Sequence, residues 1–223
     1  MYGRFFISFF QTFLELGKTS SSILCVTVSL NFSASYNAAS KAASDVKQLR
    51  PEMKIDVLDS QSAAGAQGLV ALEACRAAKR GDSYEMVIDA AQTVIQRVSL
   101  LAFPETLDYL RQSGRIPRMA YTGMSLLKIK PIFELSKGKI RNLAKPRTVN
   151  KASEKLVNLM SKRISGPVHA TVMHADALEV AEQLKETIAL EFQCEELFLT
   201  QFSPVMGSHT GPGLLGIAFW SET

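Results

Sequence analysis

The run Ile23-Leu-Cys-Val-Thr-Val28 constrains the fold of this chain more than any other feature of its sequence. It is too short for a core helix and too rich in β-branched residues, so it reads as a buried strand. Helical patterns bracket it. Phe6, Phe9, Phe10, Phe13 and Leu14 recur at helical spacing and predict an amphipathic helix over about 5–16. Ser33 to Leu49 is alanine-rich and helical, stopping before Pro51, because the residue ahead of a proline is pushed out of the helical region.

The same rhythm continues beyond Pro51. Met53–Leu58 predicts a second strand, and Ala63–Arg80 a helix ended by Gly81, where a left-handed residue closes it. Asp82-Ser-Tyr-Glu85 opens another helix in the manner of a capping box, and Ser99–Phe103 predicts a third strand. Strand, helix, strand, helix, helix, strand predicts an α/β unit: a parallel sheet covered by helices.

After Pro104 the pattern changes. A short helix closes at Ser113-Gly114, and another follows Pro117. Lys130–Leu135 and Lys139–Ala144 flank a Ser-Lys-Gly turn as a β-hairpin. Helices over 148–164 and 176–192 then alternate with strands over 167–173 and 195–201, before a last apolar segment at 214–220. A hairpin with crossing helices predicts an α+β unit with an antiparallel sheet, which divides the chain into 1–104 and 105–223.

Bulk properties exclude several classes. Hydrophobic residues make up 47% and charged ones 21%, which is the composition of a folded core rather than a disordered chain. The net charge of +4, from 25 basic and 21 acidic side chains, is too mild and dispersed to predict nucleic-acid binding. Cys25, Cys75 and Cys194 form no C-x-x-C pair, which predicts neither a zinc site nor a disulfide framework. Isolated cysteines in apolar surroundings imply a reducing, cytoplasmic compartment. The apolar run at the start is broken by Ser8, Gln11 and Thr12 and closed by no small-residue cleavage site. No stretch of about twenty apolar residues is present, so stable membrane insertion is not expected.

Three places have the composition for chemistry. The first is Ser29-Leu-Asn-Phe-Ser33-Ala-Ser35-Tyr36, between a strand and a helix. Ligands of open α/β sheets gather at strand carboxyl ends, and a helix start offers unpaired N–H groups that suit a carboxylate or phosphate. The plain alternative is that Ser33 caps its own helix, a role worth about 1 kcal/mol. The second is Ser203–Gly213, whose prolines and glycines predict an irregular loop carrying His209 and Thr210. Its G-x-G-x-x-G string, Gly211–Gly216, opens no βαβ unit and is spurious as a dinucleotide motif. The third is a basic stretch from Arg111 to Arg147 that includes Arg115 but lacks interleaved aromatic residues, so it reads as a solvated face. His169 and His174 flank a strand without a nearby carboxylate in sequence and read as structural. No nucleophile elbow, Walker loop or metal-ligand cluster is present, and no cofactor is predicted.

Six blocks in order resemble the DegV family of bacterial fatty-acid-binding proteins. SLNFSASYNAA at 29–39 is similar to the family's S-x-x-x-S-G-T-Y-x-S-A, with Ala34 in place of a glycine. VLDSQSAAGAQGLVALEA at 57–74, ETLDYLRQSGRI at 105–116, LLKIKPIFELSKGKI at 126–140, KPRT at 145–148 and GSHTGPGLLGI at 207–217 follow. The resemblance implies two domains with a long-chain fatty acid between them, its carboxylate near Ser33, Ser29 and His209. Thr210, Ser35 and Arg115 are supporting candidates. It implies a carrier rather than an enzyme, presenting the carboxylate to a fatty acid kinase for acyl-phosphate formation and phospholipid synthesis. The family begins with a further strand-helix-strand region and a T-S-Q-P-S segment that this sequence does not contain, so an incomplete first domain is expected. Two rival functions remain open: a lipid esterase using Ser33 and His209, and a partner-docking module with incidental lipid binding.

Overall fold

The computed structural model describes residues 2–114 and 129–222, organised by two sheets. Helix α1 (Tyr2–Leu16), strand β1 (Ser22–Thr27), helix α2 (Ser35–Leu49) and strand β2 (Lys54–Asp59) come first. β1 and β2 pair in parallel, from Ser22 opposite Lys54 to Thr27 opposite Asp59. A parallel pair needs a crossover, and α2 supplies it. Phe13 of α1 and Ala39, Ala42, Ala43 and Val46 of α2 form one core with Ile23, Met53 and Ile55. The predicted aromatic stripe of α1, Phe6, Phe9, Phe10 and Leu14, packs against this cluster.

Helices α3 (Ala64–Arg80) and α4 (Tyr84–Arg97) follow. α3 ends as the sequence predicts: Gly81 takes φ +86° and returns its N–H to the carbonyls of Ala77 and Ala78. α4 starts one residue later than a cap at Asp82 implies. Ser83 is the cap, its hydroxyl accepting from the Met86 N–H at 3.3 Å.

Strand β3 (Ser99–Phe103) departs from the sequence rhythm, which assigns it to the parallel sheet. It lies instead in a six-stranded sheet of order β5-β4-β3-β8-β6-β7, antiparallel to both neighbours. The others are β4 (Ile132–Ser136), β5 (Lys139–Ala144), β6 (Val168–His174), β7 (Cys194–Gln201) and β8 (Leu215–Ser221). Helices α5 (Asp108–Ser113), α6 (Val149–Ser161), α7 (Leu178–Glu191) and α8 (Pro204–Thr210) fall between them. Pairing is antiparallel except between β6 and β7, where α7 is the crossover. Periodicity marks Ser99–Phe103 as buried but does not name its partners, which come from distant segments. The expected hairpin is β4–β5, joined by Lys137 and Gly138 at φ 50° and 68°, as a type I′ turn requires.

The stretch Ser203–Gly213, expected as an irregular loop, contains helix α8. Ser203 caps it by accepting from the Met206 N–H, and Pro204 fills the first helical position, where a missing N–H leaves no bond unmade. Only Gly211-Pro212-Gly213 stays irregular. It leads into β8 and not a helix, so the G-x-G-x-x-G string lacks the context of a dinucleotide site. The helix expected after Pro117 lies outside the described residues.

Alternate residues of the six-stranded sheet sort onto two covered faces. On β8, Leu215, Ile217 and Phe219 share a core with Leu156 of α6 and Leu184 of α7. Ala218 and Trp220 instead join Leu69 and Val70 of α3 and Val94 of α4. Helix α3 thus has a sheet on each side, because Leu24, Val26 and Leu58 of the parallel pair pack against the same cluster. Gly65 makes the closest approach: a Cβ there would run into Thr171 Cγ2 and would meet Met173 Sδ at 2.7 Å. Gly65→Ala should therefore lose about 1–3 kcal/mol of stability by overpacking. Adding Thr171→Ser, which removes the nearer methyl, should recover part of that loss. Urea unfolding of the three chains measures both, and an unchanged midpoint for Gly65→Ala would contradict the close approach.

Candidate functional site

The turn after β1 is built from its own serines. The Ser29 carbonyl accepts from the N–H groups of Phe32 and Ser33, at 2.9 and 3.2 Å, and its N–H donates to the Ser62 carbonyl at 2.8 Å. The cap position of α2 is Ala34, which offers no side-chain cap, so Ser33 does not cap in the ordinary sense. Ser33 Oγ accepts from the Ser35 N–H at 3.1 Å and lies 2.5 Å from Ser35 Oγ. Two hydroxyls sharing one hydrogen bond leave one of their protons to donate elsewhere. That proton stands at the start of a 15-residue helix, beside N–H groups without intrahelical partners. Ala34 takes φ −77°, an ordinary value for any residue, so alanine stands there without strain.

Ser29 is fully buried. The turn of the β4–β5 hairpin covers it: a Cβ on Gly138 would meet Ser29 Oγ at 3.3 Å, and Asn31 Nδ2 donates to the Gly138 carbonyl at 2.9 Å. Gly138 also donates its N–H to the Gln61 carbonyl. Two further serines, Ser60 and Ser62, are buried at the end of β2, and Ser62 Oγ has no hydrogen-bond partner among the described residues. Sequence reasoning passed over them as candidates. The signal was Asp59-Ser-Gln-Ser62 at a strand's carboxyl end, where the rule applied to Ser29 holds equally.

Next to this polar end lies a cleft between the two sheets. Val28, the residue before Ser29, lines it with Ala63, Gly65 and Gln67 on one side and Met173, Phe202 and Met206 on the other. Its volume is about 440 Å³, within the roughly 300–1,000 Å³ of small-molecule pockets. A second cavity, about 90 Å³, lies on the six-stranded sheet and is lined by Leu100, Ala102, Phe133, Leu135 and Leu214. Phe202, Met206 and Thr210 are also among its walls.

His209 sits in the last turn of α8, half-buried, and its ring has no hydrogen bond among the described residues. Thr210 is buried and returns its hydroxyl to the Met206 carbonyl at 2.9 Å. The glycines behind it are required by space as well as conformation. At Gly211, with φ +79°, a Cβ would run into the Tyr109 ring, and at Gly213, with φ +80°, it would meet Glu105 Cβ at 2.5 Å. These approaches hold the end of α8 against α5.

The family model described as "Uncharacterised protein, DegV family" matches residues 7–222. The chain belongs to the DegV family. A DegV domain-containing protein of Clostridium acetobutylicum is 33% identical over 210 residues, covering 93% of this chain and 73% of the relative. The crystal structure of a DegV family protein from Corynebacterium glutamicum matches with a TM-score of 0.87 at 26% identity, over 100% of this chain and 83% of that one. A Thermus thermophilus DegV family protein, whose structure is one of fatty acid binding, matches with a TM-score of 0.88 at 24% identity. That match covers 96% of this chain and 75% of the other.

Within this DegV family chain the sequence candidates form two groups. Ser33 and Ser35 touch, Ser29 builds their turn, and His209 and Thr210 adjoin on α8. No hydrogen bond joins the two groups among the described residues. Arg115 lies outside the described residues. Burial pushes the Cys25 thiol up to about 11, which keeps it protonated and marks it as a core residue rather than a nucleophile.

A third cluster ties α3 to the sheet. Arg76 Nη1 donates to Glu196 Oε1 at 2.9 Å, and its Nη2 reaches Oε2. His169 Nδ1 lies 2.9 Å from Glu196 Oε1, and its ring stacks on Trp220 with centroids 4.4 Å apart. This carboxylate, on the adjacent strand, is the neighbour the linear sequence does not show for His169. His174 Nδ1 accepts from the Ala177 N–H at the start of α7, a structural role. Burial pushes the Glu196 carboxyl up, but hydrogen bonds from Arg76 and His169 outweigh it and hold it below the usual carboxylate range. A depressed folded pKa stabilises fully above the unfolded value, near 4.3, and the gain is lost as pH falls through the folded value. Urea midpoints should therefore fall more steeply below about pH 4.3 for the parent than for Glu196→Gln. Parallel curves would contradict this account of the cluster.

Proposed function

We propose that this chain is a carrier of long-chain fatty acids, holding the acyl chain in the cleft between the two sheets and the carboxylate at the serine turn. Ser33 donates to the carboxylate, His209 approaches from α8, and Ser29 contributes by shaping the turn. Ser35 and Arg115 support them, and Thr210 does so by bracing α8 through its bond to the Met206 carbonyl. The carboxylate is then presented to a fatty acid kinase for acyl-phosphate formation, feeding phospholipid synthesis in the cytoplasm. The kinase step follows from the family resemblance, and in this reading the chain performs no chemistry of its own.

The observation that carries the proposal is the meeting of opposite environments at one cleft. Val28 of its wall leads directly into the serine turn, which has a hydroxyl proton to donate beside a helix start. Phe202 and Met206 of its wall also line an apolar cavity on the six-stranded sheet. A buried carboxylate is costly unless donors receive it, and each buried methylene contributes about 0.8 kcal/mol. A fatty acid has this polarity: one anionic end and one apolar end. The Thermus thermophilus DegV family protein, a fatty acid binder of the same fold, supports the same ligand class.

A hydrogen bond to a charged group contributes about 1.5–3 kcal/mol, so Ser33→Ala should weaken fatty acid binding roughly tenfold or more. Mass spectrometry of lipid extracted from the natively purified protein measures this. Fatty acid in the parent and depletion in Ser33→Ala is the expected result. Equal fatty acid in both removes Ser33 from the site, and none in either folded protein removes the carrier function.

A further inference from the structure

The cleft and the smaller cavity on the six-stranded sheet (the inner cavity) adjoin at two residues. Phe202 and Met206 line both. The two residues differ in how firmly they are held. Phe202 is buried, its N–H donates to the His174 carbonyl at 2.9 Å, and its ring lies over Gly216 of β8, where a Cβ would come within 3.3 Å of Phe202 Cζ. Met206 is half-buried on the short helix α8, beside Gly207, around which no atom lies within 4 Å of a Cβ position. An unbranched thioether with three rotatable bonds takes several shapes at little cost. Of the two shared residues, Phe202 is the more firmly held and Met206 the one whose side chain has the greater rotational freedom.

The two spaces also differ in chemistry. Gln67, Thr200, Gln201 and Ser203 are among the walls of the cleft. The inner cavity is walled by aliphatic and aromatic side chains, apart from Thr210, whose hydroxyl is bonded back to α8, and Glu134. The Glu134 carboxylate is engaged at 3.1 Å by Arg163. An acyl tail gains most where no polar wall is desolvated, which is the inner cavity. At about 90 Å³, against roughly 300 Å³ for the smallest ordinary ligand pockets, that cavity takes a terminal portion of a chain and not the whole of it.

We infer that Met206, working against Phe202, is the chain-length determinant of this carrier: short acyl chains stay in the cleft, and long ones displace Met206 to place their ends on the six-stranded sheet. The inference rests on the fatty-acid reading above and adds the residue that selects among fatty acids. It assigns to Met206 an effect that grows with chain length, which a merely structural side chain would not have.

The test compares decanoate and palmitate binding, by titration calorimetry, to the parent, Met206→Ala and Met206→Phe, each checked for an unchanged circular dichroism spectrum. Met206→Ala, which opens the wall, should raise the palmitate-to-decanoate affinity ratio at least threefold. Met206→Phe, which thickens it, should lower that ratio at least tenfold. If both acids move together in either folded variant, or if neither moves, Met206 is not the determinant. A parent that binds neither acid overturns the fatty-acid reading itself, and the inference falls with it. Should one variant fail to fold, the other decides by the same palmitate-to-decanoate ratio.

Discussion

Helix α3 is packed between two sheets, and the position of every other feature of the site follows from that. Its alanines and Leu69, Val70 and Ala74 share one core with the six-stranded sheet, while β1 and β2 lean on the same cluster from the other side. The helix comes this close because Gly65 has no side chain where Thr171 and Met173 stand. Arg76 fixes its middle to β7 through Glu196. Such an arrangement leaves the ends of the two sheets near each other but not in one hydrogen-bonded array, and the cleft is the space between them. Hairpin β4–β5 reaches the serine turn by bringing Gly138 onto Asn31 and Gln61.

Polar and apolar surfaces adjoin around this space. At the carboxyl ends of β1 and β2, Ser29, Ser60 and Ser62 are buried within a network of backbone hydrogen bonds, and Ser33 and Ser35 stand at the start of α2. Phe202 and Met206 of the cleft wall also line, with Leu214, an apolar cavity on the six-stranded sheet. Neither half is unusual alone: serines cap turns, and sheets have apolar faces. Their adjacency is what suits an amphiphile, and short, separately braced α8 is the element that touches the cleft wall and carries His209.

Local features were legible in the sequence because short-range physics determines them. The aromatic stripe of α1, the left-handed Gly81 and the Lys137-Gly138 hairpin all lie where side-chain periodicity and turn chemistry put them. The family was legible too, from six ordered blocks. Partners distant in sequence were not. Nothing local to Ser99–Phe103 reports that it runs antiparallel to Leu215–Phe219, and nothing near His169 announces Glu196. Helix α8 was missed for a different reason: its glycines and second proline drew attention from Ser203-Pro204, an ordinary helix start. Ser60 and Ser62 at the end of β2 follow the same strand-end rule as Ser29, but their burial comes from packing that the local sequence does not report.

The central claim is that the acyl tail ends on the six-stranded sheet beneath α8. A long-chain fatty acid carrying a diazirine at its terminal carbon, bound to the intact chain, irradiated and mapped by peptide mass spectrometry, reports where that end lies. The account predicts labelling at the walls of the inner cavity, on the peptides that carry Met206, Leu214 and Phe133. Labelling concentrated instead on the exposed apolar residues of α1, such as Phe5 and Ile7, would contradict it and place the lipid on the surface.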